Sequence, residues 1–268
     1  MKKIHLVPLG GLGNRIRTIS SVYNYCRSRG ISLTVHWHCS HRWGMAVPFR
    51  TIFEPFPHGI GLVDNKWGDF FNYNLPSREN LYIPRLVDLL IRRKALYNLG
   101  DYKLAEMGAD GGTTIVTGSQ QCELYPIKEL FRPVKEIREK IATFREKNWG
   151  GGNVVGCHIR RTDNVVAVKN STTDKFEERI DRLFDADAGA KVFLCTDDIE
   201  VKSHLSAKYG DKIITYESTL NRDSLQGVRD AIVEMWLLSM AKEIYGSYWS
   251  SFSDMASAMG GAKLTVVK

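Results

Sequence analysis

Two rhythms of apolar and polar positions run through the chain. Short apolar runs at residues 3–9, 32–37, 113–117, 153–159, 191–195, 212–216, 243–245 and 263–267 have the length and composition of strands. Between them, apolar residues spaced three and four apart predict helices at 16–29, 81–97, 133–148, 173–184, 199–209, 224–240 and 251–259. In the first helix the stripe is Ile16, Ile19, Val22, Tyr23 and Cys26, and Gly30 supplies the stop. Gly210 and the Gly260-Gly261 pair end two later ones. Strands that alternate with helices predict an α/β fold, a parallel sheet covered by helices on both faces. The alternation is regular in the second half and looser in the first. The glycine run at 150–152 separates them, so two Rossmann-like domains are expected, 1–149 and 150–268, facing across a cleft.

Residues 42–84 break the rhythm. They hold Trp43, Phe49, Phe53, Phe56, Trp67, Phe70, Phe71, Tyr73 and Tyr82 among prolines and glycines that mark turns. Such a stretch either offers aromatic faces to sugar rings or plugs the core beneath long loops, and the pattern alone leaves both open.

Composition narrows the class. The 268 residues are 43 % hydrophobic and 25 % charged, ordinary for a soluble protein. No apolar run approaches the roughly 20 residues that span a bilayer. The opening Met1-Lys2-Lys3 is followed by a run that His5 interrupts and Gly10 ends, so a signal peptide is not expected. The expectation is a cytoplasmic protein without a transmembrane segment, with peripheral membrane contact left open. Its five cysteines are scattered and include no C-x-x-C pair, which argues against a disulfide framework. Cys157 and Cys195 fall inside predicted strands, as buried thiols do. The net charge of +7 favours an anionic partner. The basic residues are dispersed, with small clusters at Arg92-Arg93-Lys94 and Arg160-Arg161, which suits an anionic small molecule better than nucleic acid. His36, His38, Cys39 and His41 have chelating spacing, but no second cluster completes a structural site. A polar rim at a strand end is expected there, and no metal.

Chemistry concentrates at strand ends. Gly10-Gly11-Leu12-Gly13-Asn14-Arg15 joins a strand to a helix, where backbone N–H groups can approach a ligand. Its spacing is not the dinucleotide fingerprint, so a purely structural turn is the competing reading. In the second half, three strands finish in reactive groups: His158-Ile159-Arg160-Arg161-Thr162-Asp163, then Thr196-Asp197-Asp198, then the serine-rich turn 246–253. Adjacent guanidinium groups at an apolar strand end suit a diphosphate, or else Arg161 pairs with Asp163. A carboxylate at 197 or 198 can accept the N1–H and N2–H₂ edge of guanine, or cap the following helix. Ser250 and Ser251 can hold phosphate oxygens or serve as caps. Successive strand ends of a doubly wound domain face one crevice, so their convergence predicts a nucleoside diphosphate site.

In that order, the H-x-R-R-x-D, T-D-D and S-S-x-S motifs resemble those of the fucosyltransferase superfamily, the α1,2-, α1,6- and protein O-fucosyltransferases. The likeness is strongest to the α1,6 branch that includes the nodulation enzymes. Ser224-Leu225-Gln226-Gly227-Val228 with Met235-Trp236-Leu237-Leu238, and the opening glycine loop, support it. The resemblance covers residues 150–262 well and 40–145 thinly.

What the resemblance implies is a GT-B fold, GDP-fucose as donor, a glycan or oligosaccharide acceptor met by the first domain, inversion at the anomeric carbon and no cofactor or metal. Arg160 would bind the β-phosphate, and His158 with Asp197 or Asp198 would lie at the guanine. Ser250 or Ser251 would lie at the diphosphate. Candidate donor contacts are thus Gly11, Gly13, Asn14, Arg15, His158, Arg160, Arg161, Thr196, Asp197, Asp198, Ser250, Ser251 and Ser253, with Arg160 and Asp163 catalytic. One departure stands out. Some relatives carry a glutamate five residues after the motif aspartate, where this chain has Val168. The general base then comes from elsewhere, with Asp163, Glu54 and Asp69 as candidates, or the linkage differs. Another GDP-sugar such as GDP-mannose, or a binding module without turnover, are the alternative readings.

Overall fold

The computed structural model describes residues 2–39, 44–64, 94–97, 113–150, 152–162, 165–221 and 224–268. The chain divides into two α/β units, Met1–Arg132 and Pro133–Lys268.

The first unit runs β1 (Lys3–Pro8), α1 (Leu12–Ser28), β2 (Ser32–Trp37), a 3₁₀ turn (Phe49–Thr51), β3 (Gly61–Asp64), β4 (Lys94–Tyr97), β5 (Thr113–Thr117) and α2 (Ile127–Leu130). Its strands are all parallel in the order β3-β2-β1-β5-β4. Both faces of β1 and β2 are covered, which is why Ile4, Leu6, Val7, Leu33, Val35 and Trp37 are all buried. Trp37 packs edge-on against Phe49 and donates Nε1–H to the Val47 carbonyl at 2.9 Å. Phe49 lies 4.4 Å from Phe56, and Phe53 lies 5.2 Å from Phe131, ring centre to ring centre. These rings plug the core. Trp43, Trp67, Phe70, Phe71, Tyr73 and Tyr82 lie outside the described residues. The helix expected at 81–97 is corrected at its end: Lys94–Tyr97 is a strand in register with Thr113–Val116. A four-residue stretch has no helical period of its own, and the ladder offered by β5 decides its conformation.

Helix α1 begins four residues earlier than its apolar stripe suggests. Gly10 takes φ +86°, in the left-handed region, and turns the chain directly after β1, so that Gly11 becomes the N-cap. Gly44, at φ +88°, packs against this turn. A Cβ there would sit 2.6 Å from the Gly10 carbonyl carbon.

The second unit runs α3 (Lys135–Trp149), β6 (Val154–Ile159), α4 (Val165–Asn170), α5 (Thr173–Ala186), β7 (Lys191–Thr196), α6 (Ile199–Tyr209), β8 (Ile213–Thr215), α7 (Leu225–Leu238), β9 (Glu243–Ser247), α8 (Ser251–Gly260) and β10 (Lys263–Val267). Its parallel strands are ordered β10-β9-β6-β7-β8, which is the Rossmann order. The division falls before α3 instead of at the glycine run. Within the second unit, Trp149 meets Phe193 at 5.7 Å and Phe144 meets Tyr216 at 5.3 Å, so α3 packs on this sheet. The core gathers Val155, Cys157, Ile159, Phe176, Ile180, Val192, Leu194, Leu205 and Tyr245. Cys157 and Cys195 are buried free thiols, and burial raises the pKa of both. The unforeseen element is α4, a short helix whose Val165 is 80 % exposed. Among the described residues, no helix is long and apolar enough to cross a membrane.

Candidate functional site

Strand β6 opens the second sheet, with β7 on one side and β9 on the other. The chain reverses its direction of strand addition between β6 and β9, and crevices at such points hold ligands. The turn after β6 is held from both neighbours. From β9, Ser247 Oγ accepts the Arg160 N–H at 3.0 Å and donates to the His158 carbonyl at 3.3 Å. From the end of β7, Asp197 accepts the Arg161 N–H at 2.6 Å, the Thr162 N–H at 3.3 Å and the Thr162 hydroxyl at 2.7 Å. The half-buried Arg160 therefore starts from a backbone that two strands hold in place.

His158 is buried and stacks on Phe252, with ring centres 4.7 Å apart and planes tilted by 23°. Burial, reinforced by Arg160 and opposed by Asp197, brings its pKa down to about 4, so the imidazole is neutral near pH 7. Ser250 Oγ lies 3.4 Å from His158 Nδ1. Ser250 is also the N-cap residue of α8, yet its hydroxyl makes no capping bond to the helix. The first-turn N–H groups of α8 therefore receive no cap from Ser250, and they lie just after the C-terminal end of β9, where the helix dipole favours an anion. Ser251 opens that turn. Ser253 Oγ donates to the Ser250 carbonyl at 3.2 Å. A Cβ at Gly246 would meet Ser253 Oγ at 2.7 Å, so only glycine lets α8 sit this close to β9.

The second arginine has a different task. Arg161 Nη2 donates to Thr173 Oγ1 at 3.1 Å, tying the turn to α5. Burial lowers its pKa, and Asp198, Asp197 and Asp174 oppose that shift. Its sequence-expected partner Asp163 lies outside the described residues. Asp198 is the N-cap of α6, accepting from the Glu200 and Val201 amides at 2.8 and 3.1 Å. Thr196 Oγ1 accepts the Asp198 N–H at 3.3 Å. Of the two carboxylates expected at the guanine edge, Asp197 braces the arginine turn and Asp198 caps a helix through Oδ1.

Two acidic residues escaped the sequence reading. Asp230 and Glu234 are buried one turn apart on α7. Asp230 accepts the Thr219 N–H at 2.9 Å and a Gln226 amide N–H at 2.7 Å, while Glu234 accepts the Ser218 hydroxyl at 3.0 Å. Together they hold the segment that leaves β8. Burial pushes the Glu234 carboxyl up to about 7, with Ser218 and Lys202 pulling the other way. The available signal was a pair of carboxylates, four apart, inside an otherwise apolar helix.

In the first unit the glycine loop behaves differently from expectation. Arg15 is fully buried and points inward. Its guanidinium donates to the carbonyls of Gly10 at 2.9 Å, His38 at 2.8 Å and Met45 at 3.4 Å, and lies 4.6 Å above the Trp37 ring. Burial brings its pKa down to about 10. Arg15 braces the loop from within. Gly13 is buried in the first turn of α1, and Asn14 Oδ1 accepts from Arg17 Nη2 at 2.9 Å. Gly11 leads the first turn of α1, which also lacks a side-chain cap. His36 is hydrogen-bonded to His5 at 2.8 Å, and His41 lies outside the described residues. Among the described residues, no three His, Cys, Asp or Glu side chains are grouped to hold a metal ion. Of the base candidates, Glu54 pairs with Arg132 at 3.4 Å, and Asp163 and Asp69 lie outside the described residues. Val168 sits on α4, partly exposed.

No family model and no curated protein matches the chain by sequence. Solved structures match it by fold. Fucosyltransferase NodZ from Bradyrhizobium is 19 % identical, over 95 % of this chain and 91 % of that one, with a TM-score of 0.63. A mutant of Arabidopsis thaliana FUT1 in complex with GDP is 16 % identical over 99 % of this chain and 70 % of that one, at 0.67. POFUT1 in complex with GDP is 13 % identical over 99 % and 98 %, at 0.57. NodZ has also been solved soaked with GDP-fucose. The chain thus has an α/β fold of GT-B type with two parallel sheets. The fold is the one that these fucosyltransferases share.

Proposed function

We propose that the chain is an inverting glycosyltransferase that moves fucose from GDP-fucose to a hydroxyl of a glycan or oligosaccharide without a metal. One observation carries the reading. The Arg160–Thr162 turn is held by Asp197 and Ser247 at the switch point of a Rossmann-ordered sheet, in a fold shared with fucosyltransferases solved with GDP. In this reading the acceptor oxygen attacks the anomeric carbon from the face opposite the diphosphate. The bond from that carbon to the β-phosphate oxygen breaks, and the electron pair leaves with GDP. The Arg160 guanidinium and the α8 N–H groups neutralise the departing charge, work that a metal does elsewhere. Asp163, three residues beyond Arg160, takes the acceptor proton. Neutral His158 lines the nucleotide side, and the first unit recognises the acceptor.

The test has two stages. Thermal unfolding is followed with GDP, UDP and ADP, since a ligand at a hundred times its Kd stabilises by about 2.7 kcal/mol. A shift with GDP alone is expected, and no shift with GDP removes the reading. GDP-fucose and GDP-mannose are then incubated with a panel of oligosaccharides and the products weighed by mass spectrometry. A fucose mass gain is expected.

A further inference from the structure

The turn between β9 and α8 carries Trp249 in an unusual state. Its φ is +56°, in the left-handed region that bulky side chains avoid, and among the described non-glycine residues only His58 shares it. Trp249 is also 74 % exposed, with its ring centre 6.2 Å from that of Tyr248. Its neighbours behave in the opposite way. Ser247, Ser250 and Ser253 are at most 2 % exposed and are bonded into the floor of the site, against Arg160, His158 and each other. A turn anchored this firmly is not a loose tip, and an indole this exposed is not part of the core. The fold bears both costs at the ligand edge of the sheet, one residue before the N-cap of α8.

We propose that Trp249 is a stacking platform for a ring of the nucleotide-sugar donor, either its purine or its hexose. This rests on the nucleotide-sugar reading above. A flat indole face suits the π-face of a base or the C–H face of a sugar. Phosphates held by the α8 N–H groups and Arg160 put the rings at either end of the diphosphate within reach of this turn. Stacking adds affinity without reading identity, because every base has a π-face.

Calorimetric titration of the full chain tests it, with wild type, Trp249→Ala and Trp249→Phe against pyrophosphate, GDP and GDP-fucose. Trp249→Ala should weaken ring-bearing ligands roughly 5- to 150-fold and leave pyrophosphate unchanged, while Trp249→Phe keeps most of the affinity. A loss for both GDP and GDP-fucose assigns the purine; a loss for GDP-fucose alone assigns the hexose. The proposal is overturned if Trp249→Ala binds both as wild type does. It is also overturned if pyrophosphate weakens equally, or if the phenylalanine variant is as weak as the alanine one. A wild-type protein that binds none of the three ends the nucleotide-sugar reading and this proposal with it, a pattern distinct from the others.

Discussion

Asp197 accepts the backbone N–H of Arg161 at 2.6 Å, across 36 residues of sequence. With its two bonds to Thr162, this carboxylate sets the path of the chain just after Arg160. Asp197→Asn keeps the size but has only one acceptor oxygen. A hydrogen bond to a charged group contributes about 1.5–3 kcal/mol, so urea unfolding should show a loss of that order. In the proposed reaction kcat should fall more than the affinity for GDP, because the turn is displaced and not removed. Wild-type turnover in Asp197→Asn would contradict the bracing role.

Arg160 itself is the group assigned to the leaving diphosphate. Arg160→Ala should raise the barrier by about 2.7–4 kcal/mol, a hundred- to thousandfold loss in kcat. Arg160→Lys should recover part of it, since an ammonium supplies charge without the planar fork. Single-turnover rates measure both. A melting temperature close to wild type is expected for each, because the side chain is half-buried at the sheet edge.

Glu234 makes stability depend on pH. Its carboxyl is held protonated up to about 7 against an ordinary 4.5, chiefly by burial. Lys202 and the Ser218 hydroxyl oppose that shift, and Asp230 and Asp197 add to it. A raised carboxyl pKa means that the folded state keeps a proton which the unfolded chain has lost. The contribution is therefore fully present below about pH 4.5 and disappears as the pH rises through 7, on the order of 3 kcal/mol in all. His158 acts with the opposite sign at lower pH, its pKa being depressed to about 4. The difference between wild type and Glu234→Gln isolates the glutamate. Between pH 5 and 7.5 that difference should move in favour of the glutamine variant, as followed by denaturant midpoints. A pH-independent difference would contradict the assignment.

Arg15 is a brace, so its removal should damage stability. Arg15→Met keeps the stem but leaves the carbonyls of Gly10, His38 and Met45 without their buried donor. At about 1–3 kcal/mol for each unsatisfied group, a loss of about 3 kcal/mol or more is expected in chemical denaturation. A variant as stable as wild type would return Arg15 to the list of ligand contacts.

The α/β character was legible in the order of residues because both faces of each sheet are covered. A parallel strand buried on two sides, such as 32–37, reads as a short apolar run. The strands 32–37, 113–117 and 263–267 and the helix 199–209 appear with the bounds that the pattern implied. The motifs were legible too, since His158, Arg160, Asp197 and Ser250 gather at strand ends whatever the loops do. What side chains do at those ends was not. Asp197 turns to the Arg161 amide, Arg15 to carbonyls 23 and 30 residues away, and Asp198 to the first turn of α6. Each is chosen by whichever donor or acceptor the tertiary fold leaves within 3.5 Å, and local pattern carries no record of that. The same holds for Lys94–Tyr97, a strand only because β5 offers it a ladder. It holds for Trp249 as well: the sequence placed a tryptophan between Tyr248 and Ser250, and only the tertiary structure shows it 74 % exposed at a left-handed φ.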